Sequence, residues 1–131
     1  MRYTIREASQ RTGFSAYTLR YYERQKILPP VARDAAGNRT YSEEDIQLLE
    51  MIRCLKNTGM PVNEIGAFIA LCKQGDGTLE QRRQMLLTHQ AHVEAKIEQM
   101  RQELEHIQAK LNYYDRACGQ AVRPADSCGG R

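Results

Sequence analysis

Four cysteines, Cys54, Cys72, Cys118 and Cys128, are the side chains of this 131-residue chain best suited to covalent chemistry. A thiolate is both a strong nucleophile and a soft metal ligand. No two of them form a CxxC pair, which excludes a zinc ribbon and a thioredoxin-like couple. The N-terminal stretch "MRYTIREASQ" has no apolar signal core, and no run nears the roughly 18 apolar residues of a membrane span. A cytoplasmic protein with reduced thiols and no membrane partner is therefore expected. A cysteine enzyme needs a base beside its nucleophile, and no histidine precedes His89. Neither an enzyme nor a cofactor is expected.

The second kind of chemistry is polyanion binding. Net charge is +3, yet residues 1–41 hold eight Arg or Lys against three Asp or Glu, while the rest of the chain is slightly acidic. Within that basic head lies "SAYTLRYYER", in which Arg can grip guanine or phosphate and Tyr and Thr hydroxyls can reach phosphate oxygens. Adjacent residues on a helix point about 100° apart, so one of Tyr21 and Tyr22 is expected in the core.

The elements that must position these groups are announced by caps and breakers. Thr4 with Glu7, Ser42 with Asp45, and Thr78 with Gln81 have capping-box spacing, and Ser15 can cap the segment from Ala16. Gly13, Pro29-Pro30, Gly59 with Pro61, and Gly75-Asp76-Gly77 punctuate. Helices are expected at about 4–12, 16–25, 43–58, 62–73 and 78–117. In "VARDAAGNRTY", Gly37-Asn38 can supply positive φ, and Thr40-Tyr41 favours a strand, so a short hairpin is expected. Helix, Gly13-Phe14-Ser15 turn and second helix form a helix-turn-helix pattern, whose second helix enters the major groove.

The last helix carries Leu79, Leu86, Val93, Met100, Ile107 and Tyr114 every seven residues, interleaved with Ile97, Leu104 and Leu111. This is a coiled-coil seam, interrupted early by Arg83 and Gln90, so the first two heptads are expected to pair loosely or to pack on the head. About forty residues of helix span about 60 Å. Such a stripe either packs on its own core or meets a copy of itself, and its length favours the copy. The expected domains are 1–74, with a wing at about 31–41, then 75–117 as dimerisation coiled coil, and 118–131 as a flexible tail.

"TLRYYERQKILPPVARDAAGNRTYSEEDI" resembles the signature of the MerR family of transcription regulators: a Thr-Leu-Arg-Tyr-Tyr-Glu recognition helix, a proline-containing connection and a wing ending Arg-x-Tyr. The resemblance covers residues 4 to about 117. It implies a mainly α fold, with a winged helix-turn-helix head followed by a long antiparallel coiled-coil dimerisation helix. It further implies a homodimer on a pseudo-palindromic operator in double-stranded promoter DNA, which distorts the DNA so that RNA polymerase can engage both promoter elements. Helix-turn-helix geometry turns Tyr17, Thr18, Arg20 and Tyr21 toward the groove; carried over by position, Thr18, Arg20 and Tyr21 become contacts of the recognition helix and Arg39 and Tyr41 those of the wing, with Ser15 and Arg33 as further candidate DNA contacts. Lys26 replaces the usual glycine after the recognition helix, so that exit must turn without one or fray.

Three sensing schemes in this family bear on the cysteines. Metal sensors use thiols near the end of the dimerisation helix, and Cys118 and Cys128, with nine residues between them, could chelate a soft metal. Drug-binding members carry an added C-terminal domain, and only fourteen residues follow Ala117. The thiol-based, aldehyde- and electrophile-responsive subgroup, typified by AdhR and NmlR, has one cysteine in the helix after the wing. Cys54 in "MIRCLKNTG" matches it, with Cys72 as an accessory thiol. Arg53 and Lys56 favour the thiolate there, whereas the C-terminal end of a helix opposes it. A buried, inert cysteine is the competing reading of Cys54. His89, His92 and His106 are read as solvated helix-face residues.

Overall fold

The computed structural model describes residues 1–120. Its elements run β1 (Arg2–Thr4), α1 (Ile5–Thr12), α2 (Ala16–Arg24), β2 (Ala32–Arg33), β3 (Arg39–Ser42), α3 (Glu43–Asn57), α4 (Val62–Lys73) and α5 (Leu79–Gln120), with a 3-10 turn at Asp76–Thr78 before α5. The fold is mainly α, as expected. No described helix is long and apolar enough to cross a membrane.

Two of the three capping boxes form. Thr4 and Glu7 exchange hydrogen bonds with each other's backbone at the start of α1, and Ser42 and Asp45 do so at α3. Each box satisfies two helix amides that would otherwise be orphaned, a contribution of about 1 kcal/mol. Ser15 caps α2 by accepting from the Thr18 amide at 3.1 Å. The third expected box does not form. Thr78 is buried, and its hydroxyl lies 2.7 Å from the Leu71 carbonyl and 2.9 Å from that of Gly75, closing the α4–α5 turn instead of opening α5.

The hairpin is present, and only Gly37 takes positive φ (87°); Asn38 does not. The Asp34 carboxylate accepts from the amides of Ala36 and Asn38, which fixes the turn. Strand β1 was not expected. It pairs antiparallel with β3 on the side opposite β2, giving the order β1-β3-β2. Strand β3 is thus central, and Tyr41 in it is fully buried.

Lys26 solves the exit from α2 at φ 61°. Its amide bonds to the Glu23 carbonyl, and the Ile27 amide to that of Tyr22, the double bond of a Schellman ending. Ile27 and Leu28 are thereby turned into the core.

The chain forms two compact units, residues 1–89 and the remainder from Gln90. The first has one core, built on Leu19, Tyr22, Leu28, Tyr41, Ile46, Leu49, Ile52, Ile65 and Ile69. Full burial of each aliphatic side chain contributes about 1.5–3 kcal/mol. The head extends past residue 74: Met85 of α5 packs on this core. In the second unit Ile97, Met100, Leu104, Ile107 and Leu111 are 50–71% exposed, a row of seam residues with no cover among the described residues.

Candidate nucleic-acid interface

Helix α1 ends at Gly13, whose φ of 83° makes a left-handed cap and lets the chain reverse. The turn is held from inside. Phe14 is buried edge-on against Tyr22, with ring centroids 5.3 Å apart, and the Ser9 hydroxyl donates to the Phe14 carbonyl at 2.5 Å. Leu19 and Tyr22 anchor the inner face of α2, so the outer face is determined. Tyr17, Arg20 and Tyr21 lie on it, and Arg24, one turn on, places its guanidinium 6.0 Å from the Tyr21 ring centroid. Of the tyrosine pair, Tyr22 is the core member, and burial raises its phenol pKa. Thr18 is half-buried and receives a hydrogen bond from the exposed Ser15 hydroxyl at 2.9 Å, so these two residues act first as the cap that aims α2.

The wing is tied to α2 by one carboxylate. Glu23 accepts from Arg39 Nε at 2.6 Å and from the Val31 amide at 3.3 Å, with the side chains of Glu23 and Arg39 only 14% and 20% exposed. Arg33 on β2 is exposed and donates to the Gly37 carbonyl across the turn. Arg6, Arg20, Arg33 and Arg39 line one cleft of about 450 Å³ between the start of α1, the recognition helix and the wing. Its one acidic lining residue, Asp34, is already engaged by the wing turn. A cleft of four guanidinium groups beside an outward-facing Tyr-Arg-Tyr helix suits phosphate and base edges.

Tyr41 requires a correction. It has no exposed surface, its hydroxyl has no hydrogen-bond partner among the described residues, and burial pushes its pKa up, so it supports the wing from beneath and presents no surface for contact. Arg39 reaches the cleft, but with its Nε held by Glu23. Arg6 and Arg24 are additions. Arg24 follows Tyr17, Arg20 and Tyr21 at helical spacing and could have been found from that alone. Arg6 is brought to the wing only by the tertiary fold.

The described cysteines are all free thiols, so no disulfide joins Cys54 to Cys72. Cys54 is exposed on α3, which removes the reading of a buried small hydrophobe. Arg53, expected to favour its ionisation, donates to the Thr12 carbonyl at 2.8 Å and is committed to the end of α1. Cys72 is half-buried on α4, with Arg82 Nη1 at 4.0 Å from its sulfur. Cys118 is exposed near the end of α5, and Cys128 lies outside the described residues. Among the described residues no three His, Cys, Asp or Glu side chains are grouped to hold a metal ion. His89 also departs from expectation: it is half-buried, with Nε2 2.7 Å from the Thr58 hydroxyl.

Comparison with known proteins agrees with this geometry. Residues 3–71 match the MerR HTH family regulatory protein model, and residues 46–117 match the family's "MerR, DNA binding" model. An uncharacterized HTH-type transcriptional regulator of Haemophilus influenzae is 38% identical over 117 residues, covering 89% of this chain and 87% of that one. The HTH-type transcriptional regulator AdhR of Bacillus subtilis is 40% identical over 82 residues, covering 63% and 59%. The crystal structure of HiNmlR, a MerR family regulator lacking the sensor domain, bound to promoter DNA, superposes with a TM-score of 0.82 at 37% identity, covering 92% of this chain and 95% of that one. With a family model spanning more than half its length and the Arg-lined head that DNA binding needs, the chain belongs to the MerR family of DNA-binding transcriptional regulators, and is not an enzyme.

Proposed function

We propose that this regulator acts as a homodimer on a pseudo-palindromic promoter operator. It switches transcription by RNA polymerase when a thiol-reactive electrophile, such as an aldehyde, adds to Cys54. The dimer reading is supported by the uncovered seam from Ile97 to Leu111, since apolar rows of this kind are costly to leave in water. In the DNA reading, Tyr17, Thr18, Arg20 and Tyr21 present to the major groove with Arg24 beside them. Arg6, Arg33 and Arg39 hold backbone phosphates. Ser15 serves through its cap.

The observation that carries the sensing reading is the exposure of Cys54 on α3, the helix whose N-terminal cap, Ser42, is the last residue of the wing strand. A thiol there is open to reagents and is joined covalently to the DNA-reading apparatus. With an aldehyde, the sulfur bonds to the carbonyl carbon, the C–O π pair moves to oxygen, and the thiol proton ends there, giving a hemithioacetal. With an unsaturated aldehyde the sulfur bonds to the β-carbon and the proton ends on the α-carbon, giving a stable thioether. Cys72, half-buried, is the accessory thiol.

The test is intact-mass and peptide mapping of the protein after exposure to acrolein, alongside fluorescence anisotropy on promoter DNA. One adduct per chain at Cys54, with operator binding that weakens steeply with salt, is the expected result. Adducts elsewhere with Cys54 unmodified would defeat the sensing reading. Stoichiometric metal in the purified protein, lost on replacing Cys118 and Cys128, would replace it with metal sensing.

A further inference from the structure

Thr58, the C-cap of α3, joins the carbonyl of Cys54 to α5. Its amide bonds to the Cys54 carbonyl at 3.1 Å, and its hydroxyl oxygen lies 2.7 Å from the same carbonyl and 3.2 Å from that of Leu55. From α5, His89 brings Nε2 to 2.7 Å from that hydroxyl oxygen.

Counting hydrogens gives the direction of each bond. A threonine hydroxyl has one proton, and the Cys54 carbonyl oxygen, which can only accept, lies 2.7 Å away. Turning the proton to the imidazole instead would give up this short bond and leave the carbonyl with the Thr58 amide alone. Thr58 therefore donates to the carbonyl and accepts from His89, whose Nε2 carries the proton. The chain runs from His89 Nε2–H to Thr58 Oγ1–H to the Cys54 carbonyl. It leads from α5 to the peptide unit of the exposed cysteine.

We infer that Thr58 and His89 are the positioning residues that transmit the state of Cys54 to the dimerisation helix. This inference rests on the reading of Cys54 as the sensing thiol. An adduct on the Cys54 side chain cannot rotate or tilt that residue without moving its carbonyl, and the carbonyl is tied through one hydroxyl to α5. Helix caps of this kind have discrete bonded arrangements, so the response can be a switch between them. Arg53, the neighbour of Cys54, is bonded to the end of α1, so the same turn of α3 also touches the helix-turn-helix unit.

The experiment uses the full chain and acrolein as the probe, with three readouts for each variant: adduct stoichiometry at Cys54, operator affinity of the unmodified protein, and promoter transcription before and after modification. Thr58→Val keeps the shape and removes the hydroxyl, His89→Leu removes the donor, and Thr58→Ser restores the hydroxyl. Expected for Thr58→Val and His89→Leu are Cys54 labelling as in the wild type, operator affinity within about threefold, and a response reduced on the order of fivefold or more, the lower bound of ordinary allosteric coupling. Thr58→Ser should respond as the wild type does.

A wild-type response in both Thr58→Val and His89→Leu overturns the inference while leaving Cys54 sensing intact. So does loss of operator binding by unmodified Thr58→Val, which would make the hydroxyl a part of the fold alone. If Cys54→Ser still responds, it is the underlying sensing reading that fails.

Discussion

Replacing Glu23 with alanine removes the clamp between the recognition helix and the wing. The carboxylate takes Arg39 Nε at 2.6 Å on one oxygen and the Val31 amide at 3.3 Å on the other, so one side chain on α2 secures both the approach to β2 and the start of β3. A hydrogen bond to a charged group contributes about 1.5–3 kcal/mol, and an amide or guanidinium left without its partner in a mostly buried site costs about 1–3 kcal/mol. Because the Arg39 side chain keeps 20% of its surface exposed, it can recover part of that loss by turning to water. The expected destabilisation is therefore about 2 kcal/mol, near the middle of the first range. With a urea slope of about 1–3 kcal/mol/M, the unfolding midpoint should fall by roughly 1 M, measured at one fixed protein concentration because a dimer's midpoint depends on it. Operator affinity should fall as well, by about fivefold if half of that energy holds the wing in place for DNA. Glu23→Gln, which keeps one acceptor oxygen but loses the charge and turns an NH2 donor toward the other partner, should lie between. A midpoint shift worth less than about 0.5 kcal/mol together with unchanged operator affinity would refute this account of how the wing is held.

Three further predictions follow from single residues. Tyr41→Phe removes a buried hydroxyl that has no partner among the described residues, so it should leave operator affinity unchanged and be neutral or stabilising by up to about 1 kcal/mol; weakened DNA binding would reinstate Tyr41 as a contact. Lys26→Gly relieves a left-handed residue at φ 61°, and after subtracting the extra freedom of glycine in the unfolded chain it should stabilise by about 0.5 kcal/mol in urea unfolding; destabilisation would mean that the lysine side chain contributes a contact of its own. Arg33→Ala should weaken binding to all sequences alike and lower the slope of log affinity against log salt by about 1, whereas a change in sequence preference would make Arg33 a reader of bases.

Local chemistry was readable from the chain, and long-range pairing was not. The boxes at Thr4/Glu7 and Ser42/Asp45 need only residues three apart, and the inner and outer faces of α2 follow from helical spacing around Leu19 and Tyr22. Strand β1 has three residues, too few to show an alternation, and it exists because β3 offers it a partner 40 residues away. Missing it hid the burial of Tyr41, which follows once β3 lies between two strands. Thr78 has the right spacing for a cap and fails because the carbonyls of Leu71 and Gly75, at the turn out of α4, claim its hydroxyl. The same holds for the site. Arg20 and Tyr17 were legible as an exposed basic and aromatic face, while the engagement of Arg39 by Glu23, of Arg53 by Thr12 and of His89 by Thr58 each depends on elements that meet only in the folded chain.

As a sensing thiol, Cys54 should change transcription without being needed for DNA binding. In vitro transcription from the operator-bearing promoter, with purified polymerase and either wild-type protein or Cys54→Ser, each with and without acrolein, tests it most directly. Both proteins should occupy the operator equally, and acrolein should change transcript yield with the wild type and leave it unchanged with Cys54→Ser. An equal response from Cys54→Ser would contradict it.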